Sequence, residues 1–329
     1  MRARSLFEAM AADGVYRAGG TDLQALRRLR GSREPVVDLT GVPGLAGIRA
    51  EPEGFRIGAS TRISDLATDP GVMAGYPALA AAAGSLATPQ IRAVATVGGN
   101  LLQRNRCPYF RHPDFTCHKT GHDSCPARAG HHAHGVVFDL GPCVAPHPST
   151  LAMALLAHEA HVLTSSDDRF TIPDLLGDGS DGRRDHRLAD GAILTAIHLP
   201  PPVEEQGGYS RATGRVLAEW PAAEAVVRLQ TDAGRIEQAV VAVGGVAPIP
   251  LLLPEVGRAL EGVATDDRQS ILGAAQLAVA GANPLPQTRY KLDLLVGTVA
   301  DAVDSALSGA GTVEVAVGER GLPAPEARL

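Results

Sequence analysis

The sequence runs to 329 residues, 45% of them hydrophobic and 20% charged, enough chain to bury a substantial core and divide into two domains. A net charge of -6 and an aromatic content of 4% exclude a general nucleic-acid surface, whether it works by charge or by base stacking. Lys119 and Lys291 are the only lysines, so Schiff-base chemistry is a poor fit.

No apolar run reaches the roughly 18 residues that a membrane-spanning helix needs. The first residues, MRARSLFEAMAADG, lack an apolar stretch and a cleavage site, so no export signal of the chain's own is expected. The expected location is cytoplasm, or periplasm if a signal-bearing partner carries the chain across.

In chain order, residues 5 to 31 read as a short helix, a strand at Val15-Tyr16-Arg17, and a second helix with Leu23, Leu26 and Leu29 at a spacing of three. Between strand and second helix lies AGGTDL, where Thr21 or Asp22 is expected to cap the helix and Gly19 and Gly20 to open left-handed backbone. A strand, a glycine turn and a helix N-terminus with free N–H groups form a natural phosphate cradle. The pattern alone is weak, since many such turns bind nothing.

Val36–Leu39 and Phe55–Gly58 read as strands, a helix begins near Thr61, and small Ala-rich helices fill Pro70 to Thr88. A mixed α and β domain is expected. No G-x-G-x-x-G follows the first strand and no G-x-x-x-x-G-K-[ST] occurs, which disfavours a Rossmann dinucleotide site and a P-loop. A second glycine turn, TVGGN at 96–100, places Gly98 and Gly99 where a ligand can approach and adds the Asn100 amide. Two cradles in one domain suit the two ends of a long dinucleotide, or are two unrelated turns.

All four cysteines, Cys107, Cys117, Cys125 and Cys143, fall in the Gly- and Pro-rich stretch that follows. A long insert without periodic apolar pattern needs something to hold it. The spacing C-x9-C-x7-C-x17-C has neither the short knuckles of structural zinc nor the tight pairs of ferredoxins. An iron–sulfur cluster, a zinc ion and disulfides or free thiols all stay open. Arg104, Arg106, Arg111, Lys119 and Arg128 supply charge that favours thiolates. Nine of the 11 histidines lie between His112 and His161, so mixed Cys/His ligation is an alternative. Most of these histidines read better as polar loop residues; His147 stands apart by its nearness to Cys143.

Residues 151–164 read as a helix giving way to a strand, with Leu151, Leu155 and Leu156 facing the core. PPPVEEQGG at 200–208 is the best domain boundary. Beyond it, Ala225–Leu229 and Ala239–Val243 pair through a TDAG turn. Helices are expected near 252–261, 267–280 and 287–307, the last presenting Leu292, Leu295, Val299 and Val303. This second part is a compact α+β domain. The tail from Gly309 contains one possible strand, TVEVAV.

AGGTDL at 18–23, QIRAVATVGGNL at 90–101, GGVAPIP at 244–250 and TRYKLDLLVGTV at 288–299 resemble segments of the flavin-binding medium subunit of the xanthine dehydrogenase and aldehyde oxidoreductase family of molybdenum hydroxylases. The resemblance covers about residues 5 to 307. GNLLQRNRCPYF, FTCHK, DSCPA and GPCVAPHPS resemble the subgroup with an additional 4Fe–4S cluster, nearest to periplasmic aldehyde oxidoreductases. The resemblance implies an α+β fold of a two-part FAD-binding domain (1–203, with a cluster-binding insert at about 101–147), a smaller C-terminal domain (204–308) and a peripheral tail (309–329).

It further implies that Ala18, Gly19, Gly20, Thr21 and Asp22 and then Thr96, Gly98, Gly99 and Asn100 surround FAD, with Arg211 or Arg215 approaching from the second domain. AEWPAAEAVV at 218–227 departs from the family pattern, in which an Asp commonly follows the basic pair. Cys107, Cys117, Cys125 and Cys143 would hold the cluster, with a structural and tuning role. No catalytic residue is expected here. Substrate oxidation would take place at the molybdenum cofactor of a large partner subunit, and a small 2Fe–2S partner would pass electrons to FAD and on to an external acceptor. The rival readings are a zinc-stabilised interaction subunit and a self-contained flavin oxidoreductase.

Overall fold

The computed structural model describes residues 1–309; the TVEVAV stretch lies outside them. The fold comprises two domains, each with its own apolar core. The first contains a two-stranded parallel sheet, β1 (Val15–Arg17) and β2 (Val36–Asp38). It also contains a five-stranded antiparallel sheet in the order β3-β4-β7-β5-β6, made of β3 (Ile48–Glu51), β4 (Gly54–Gly58), β5 (His161–Thr164), β6 (Arg169–Thr171) and β7 (Leu194–Leu199).

The second domain is a four-stranded antiparallel sheet in the order β11-β10-β9-β8, comprising β8 (Gln206–Ala212), β9 (Ala223–Asp232), β10 (Arg235–Gly244) and β11 (Leu251–Leu252). β9 and β10 meet through Ala233 and Gly234, whose φ values of 45° and 78° match the two-residue turn that suits the twist of a hairpin. This α+β architecture agrees with the sequence reading, including the helices Pro254–Leu260, Arg268–Gln276 and Lys291–Leu307.

The Thr150–Ala157 helix is apolar on every side because every side is covered: all eight residues are buried. It packs on the Pro77–Ser85 helix and on β9 and β10. The core around it runs on into the second sheet through Val226 and Ala242.

Two corrections concern glycines. Gly207 and Gly208, read as the end of a linker, are strand residues of β8. Successive strand residues face opposite sides, and a helix presses on each side here. A Cβ at Gly207 would stand 2.2 Å from Ala78 N, and one at Gly208 2.0 Å from Ala302 O. TVGGN is not an open turn either. Val97–Leu101 forms one helical turn capped by Thr96, whose Oγ1 accepts from Gly99 N at 3.2 Å.

The cysteine insert is stitched to the second domain. Val137 N and Phe138 N both donate to Val246 O, at 2.8 and 3.1 Å, and His147 N donates to Ala247 O at 2.9 Å. The Tyr290 hydroxyl donates to Ala133 O at 3.0 Å, and Lys291 Nζ donates to His134 O at 3.4 Å. Val137 and Phe138 belong to the second domain's apolar core. The GGVAPIP segment and the final helix thus serve as the insert's footing.

Candidate cofactor site

β1 delivers the chain into the Ala18–Asp22 loop, steadied by the Arg17–Asp38 ion pair at 2.9 Å between the two parallel strands. Gly20 has φ +73°, and a Cβ on Gly19 would stand 2.2 Å from Val94 O. The second position is glycine because the two loops touch there, backbone to backbone. Among the described residues, no protein acceptor takes the N–H groups of Gly19, Gly20, Thr21 or Asp22. Neither Thr21 nor Asp22 caps the Leu23–Arg30 helix: Asp22 occupies the cap position without a side-chain bond. On that helix Leu23 and Leu26 face the site, whereas Leu29 is exposed.

The second loop differs in kind. Val97 N donates to Thr61 O at 2.9 Å, Gly98 N to Ala59 O at 2.8 Å and Asn100 N to Thr96 O at 2.9 Å. With Gly99 N on the Thr96 hydroxyl, the backbone N–H groups from Val97 to Asn100 are all paired within the protein. Gly98 is pressed on Ala59, which a Cβ would meet at 2.9 Å. Asn100 Oδ1 accepts from the Ser149 hydroxyl at 2.7 Å.

Ala18, Gly19, Gly20, Thr21, Asp22, Thr96, Gly98, Gly99, Asn100 and Arg211 all line one cleft of about 680 Å³, a size within the usual range for a cofactor pocket. The first loop's unpaired N–H groups fit a ligand with a pyrophosphate.

Side chains modify the sequence picture. Asp22 faces Arg106 at 2.8 Å and Arg111 at 2.6 Å, and accepts from Arg104 N at 3.0 Å. Its carboxylate is therefore committed to the insert. Arg211 donates to the carbonyls of Ser85, at 2.7 Å, and Glu219. Arg215 does not line the cleft; its N–H donates to Glu219 Oε2 at 3.1 Å.

Three residues that the sequence did not assign to the cleft line it: Arg106, Trp220 and Arg27. The Arg106 guanidinium stacks over the Trp220 ring at 4.3 Å, and burial, opposed by Asp22, brings its pKa down to about 10. The only tryptophan, placed after an exposed loop, was the available signal. The Arg27 Nη1 is buried and has no hydrogen-bond partner among the described residues.

In the insert, three cysteines each open a short helical turn. Cys107 precedes Pro108–Arg111, Cys117 precedes His118–Thr120, and Cys125 precedes Pro126–Ala129. Helix starts point N–H groups towards such a position and favour negative charge there. Proline at the first helical position, in two of the three, pre-sets the turn. All four cysteines are free, with Cys117 and Cys143 buried. Burial pushes the Cys107 thiol up, and charge on Cys125 and Cys117 adds to that. Burial pushes Cys143 up to about 11; Lys119 opposes, while Cys125 and Cys107 reinforce. The four thiols share one electrostatic neighbourhood.

Among the described residues, no three His, Cys, Asp or Glu side chains gather tightly enough to hold a single metal ion. The histidines are not all loop residues: His118 lies in a short helical turn and His161 in β5. His132 is buried with Nδ1 2.9 Å from Ala127 O, and His147, buried, is brought down to about 4 by desolvation.

Residues 3–202 match the family model described as the FAD binding domain in molybdopterin dehydrogenase. Residues 210–306 match the CO dehydrogenase flavoprotein C-terminal domain. The chain is 32% identical to the aldehyde oxidoreductase FAD-binding subunit PaoB of Escherichia coli (strain K12), over 88% of this chain and 90% of that one. It is 27% identical to the carbon monoxide dehydrogenase medium chain of Hydrogenophaga pseudoflava, over 93% and 92%. Its fold matches a crystal structure of quinoline 2-oxidoreductase from Pseudomonas putida 86 with a TM-score of 0.72 and 20% identity, over 94% of this chain and 96% of that one.

The chain belongs to the FAD-binding medium subunits of the molybdenum-hydroxylase and CO dehydrogenase family. Among its described residues no helix is long and apolar enough to cross a membrane.

Proposed function

We propose that this chain is the electron-transfer subunit of a molybdenum-dependent aldehyde oxidoreductase or related hydroxylase, holding FAD between its two glycine loops. The observation that carries the reading is the convergence of both loops and Arg211 on one cleft. The N–H groups of Gly19 to Asp22 would hold the pyrophosphate. Gly98 and Gly99 would form the wall beneath the cofactor's body, with Asn100 and Arg211 at its edges. Bound flavin supplies the redox chemistry, joining one-electron carriers to a two-electron acceptor. The protein's part is to bind, orient and shield it.

A 4Fe–4S cluster on Cys107, Cys117, Cys125 and Cys143 belongs to the same proposal. Four unbridged thiols in one electrostatic neighbourhood, three at helix starts, suit it. The large partner would carry the molybdenum cofactor and oxidise the substrate. A small partner would deliver electrons from 2Fe–2S clusters, and an external carrier would remove them. The complex would be a heterotrimer or a higher assembly, in cytoplasm or periplasm. The functional division would be 1–203, with the insert at about 101–147, then 204–308 and a tail at 309–329.

Anaerobic purification with partners, then quantification of iron, zinc, molybdenum and FAD per chain, tests this. Stoichiometric FAD and cluster iron on this chain are expected. A colourless, zinc-loaded subunit would overturn the proposal.

A further inference from the structure

β9 carries a carboxyl group into the centre of the second sheet. Glu224 is 1% exposed. Its register partner on β10 is Gly244, where a Cβ would stand 2.7 Å from Glu224 Oε1. The first glycine of GGVAPIP therefore makes room for this side chain. On β8 the register partner is Arg211, whose positive charge acts on the carboxyl. The Arg211 guanidinium forms no ion pair with it and donates to the carbonyls of Ser85 and Glu219 instead.

What Glu224 does contact is a pair of hydroxyls. Thr150 Oγ1 lies 2.8 Å from Oε2, and the Tyr209 hydroxyl lies 2.9 Å from the same oxygen. Tyr209 is on β8, and Thr150 opens the buried helix that follows the insert. Thr150 also lines the cofactor cleft. A carboxyl sealed from bulk water is thus one hydroxyl away from the cleft wall.

We propose that Glu224 is the proton store of this cleft and that Thr150 is the hydroxyl through which it loads and empties. In delivery, the carboxyl proton passes to Thr150 Oγ1 while the hydroxyl's own proton leaves Oγ1 for the cleft. One O–H bond forms and one breaks at Oγ1, a carboxylate remains at Glu224, and no electrons move. Loading is the reverse. Arg211 stabilises the emptied carboxylate at a distance, and Tyr209 holds Oε2 in either state. Burial raises the Glu224 pKa, with Thr150, Arg211 and Tyr209 opposing, a direction that favours the protonated, stored form. Glu224 is a positioning residue, since it acts on the cleft only through Thr150. A flavin that takes up protons as it is reduced is the ligand that would use such a store, and to that extent the inference rests on the proposed function.

The test has an arm that needs no flavin. Infrared spectra of the flavin-free full chain are recorded against pH, for wild type and for Glu224→Gln, which preserves shape and both hydroxyl contacts. A carboxylic C=O band is expected to persist above the ordinary Glu range and to be absent in Glu224→Gln. Its hydrogen–deuterium exchange should slow at least tenfold in Thr150→Val and recover in Thr150→Ser. In the flavin-loaded complex, the midpoint potential should follow pH with different profiles in wild type and Glu224→Gln. No such band in the wild type, exchange indifferent to Thr150, or superimposable potential profiles would each overturn the inference. A chain that takes up no flavin yet shows the band would instead count against the proposed function alone.

Discussion

Asp22 faces Arg106 across 2.8 Å, and that ion pair joins the first loop of the cleft to the residue before Cys107. Arg111, at the far end of the same helical turn, closes on the other side of the carboxylate at 2.6 Å. Replacing Asp22 with Asn leaves two part-buried guanidinium groups short of an anion. A loss of about 2 kcal/mol in urea unfolding is expected, with weaker FAD retention because the loop loses its outer anchor. Unchanged stability and unchanged FAD affinity would show the loop to be self-supporting.

Gly19→Ala drives a methyl into the Val94 carbonyl, 2.2 Å from the ideal Cβ position. Since backbone must move, about 1–3 kcal/mol of stability should be lost, and FAD affinity should drop at least tenfold as the two loops part. Gly31→Ala is the control: φ there is +59° but the space is open. It should cost about 1 kcal/mol and leave FAD titrations untouched. Equal effects of the two variants on FAD would refute the role given to the loop contact.

At the seam between domains, Arg228 Nε donates to both oxygens of Glu205, at 3.0 and 2.9 Å, and its Nη1 donates to Ala157 O. The Glu205 side chain is 3% exposed. Glu205→Gln leaves a buried guanidinium uncompensated, and roughly 3 kcal/mol should disappear from chemical denaturation. A midpoint within error of wild type would mean that water reaches the pair.

Lys291 is 1% exposed, and burial brings its pKa from 10.5 down to about 8. Between those values the unfolded chain binds a proton that the folded chain has released, so this group makes stability rise with pH from about 8 towards 10.5 and adds no slope below 8. Lys291→Met should flatten that rise, as measured by denaturation at a series of pH values. An identical slope in the variant would assign the titration elsewhere.

Cys125→Ser removes one of four proposed cluster ligands and should abolish iron binding and its visible absorption, with a lowered melting temperature for the insert. Iron content at the wild-type level would take Cys125 out of the ligand set.

Much of the fold was legible because its signals are local. The apolar run at Ala239–Val243, the TDAG turn and the spacing of Leu295, Val299 and Val303 each point to one element. The glycines misread in sequence, Gly207 and Gly208, failed for a non-local reason: their meaning lies in two helices more than a hundred residues away on one side and about ninety on the other. The glycine loops were recognisable, but the different use of their N–H groups was not. Only the folded chain brings Thr61 O and Ala59 O to the N–H groups of Val97 and Gly98. Arg106 and Asp22 look like separate surface charges in sequence and become a pair only when the insert folds back. Glu224 gave no signal, because a lone glutamate in a strand is invisible until its neighbours are known.

Because Val246 O takes two N–H groups from the insert, and Val137 and Phe138 fill part of the second domain's interior, the cysteine segment is not a cassette. Cutting it out would strip a carbonyl and open a hole far from the excision point. Grafting it into a flavin subunit that lacks one would require transplanting its landing ground at 244–247 and around 290 as well.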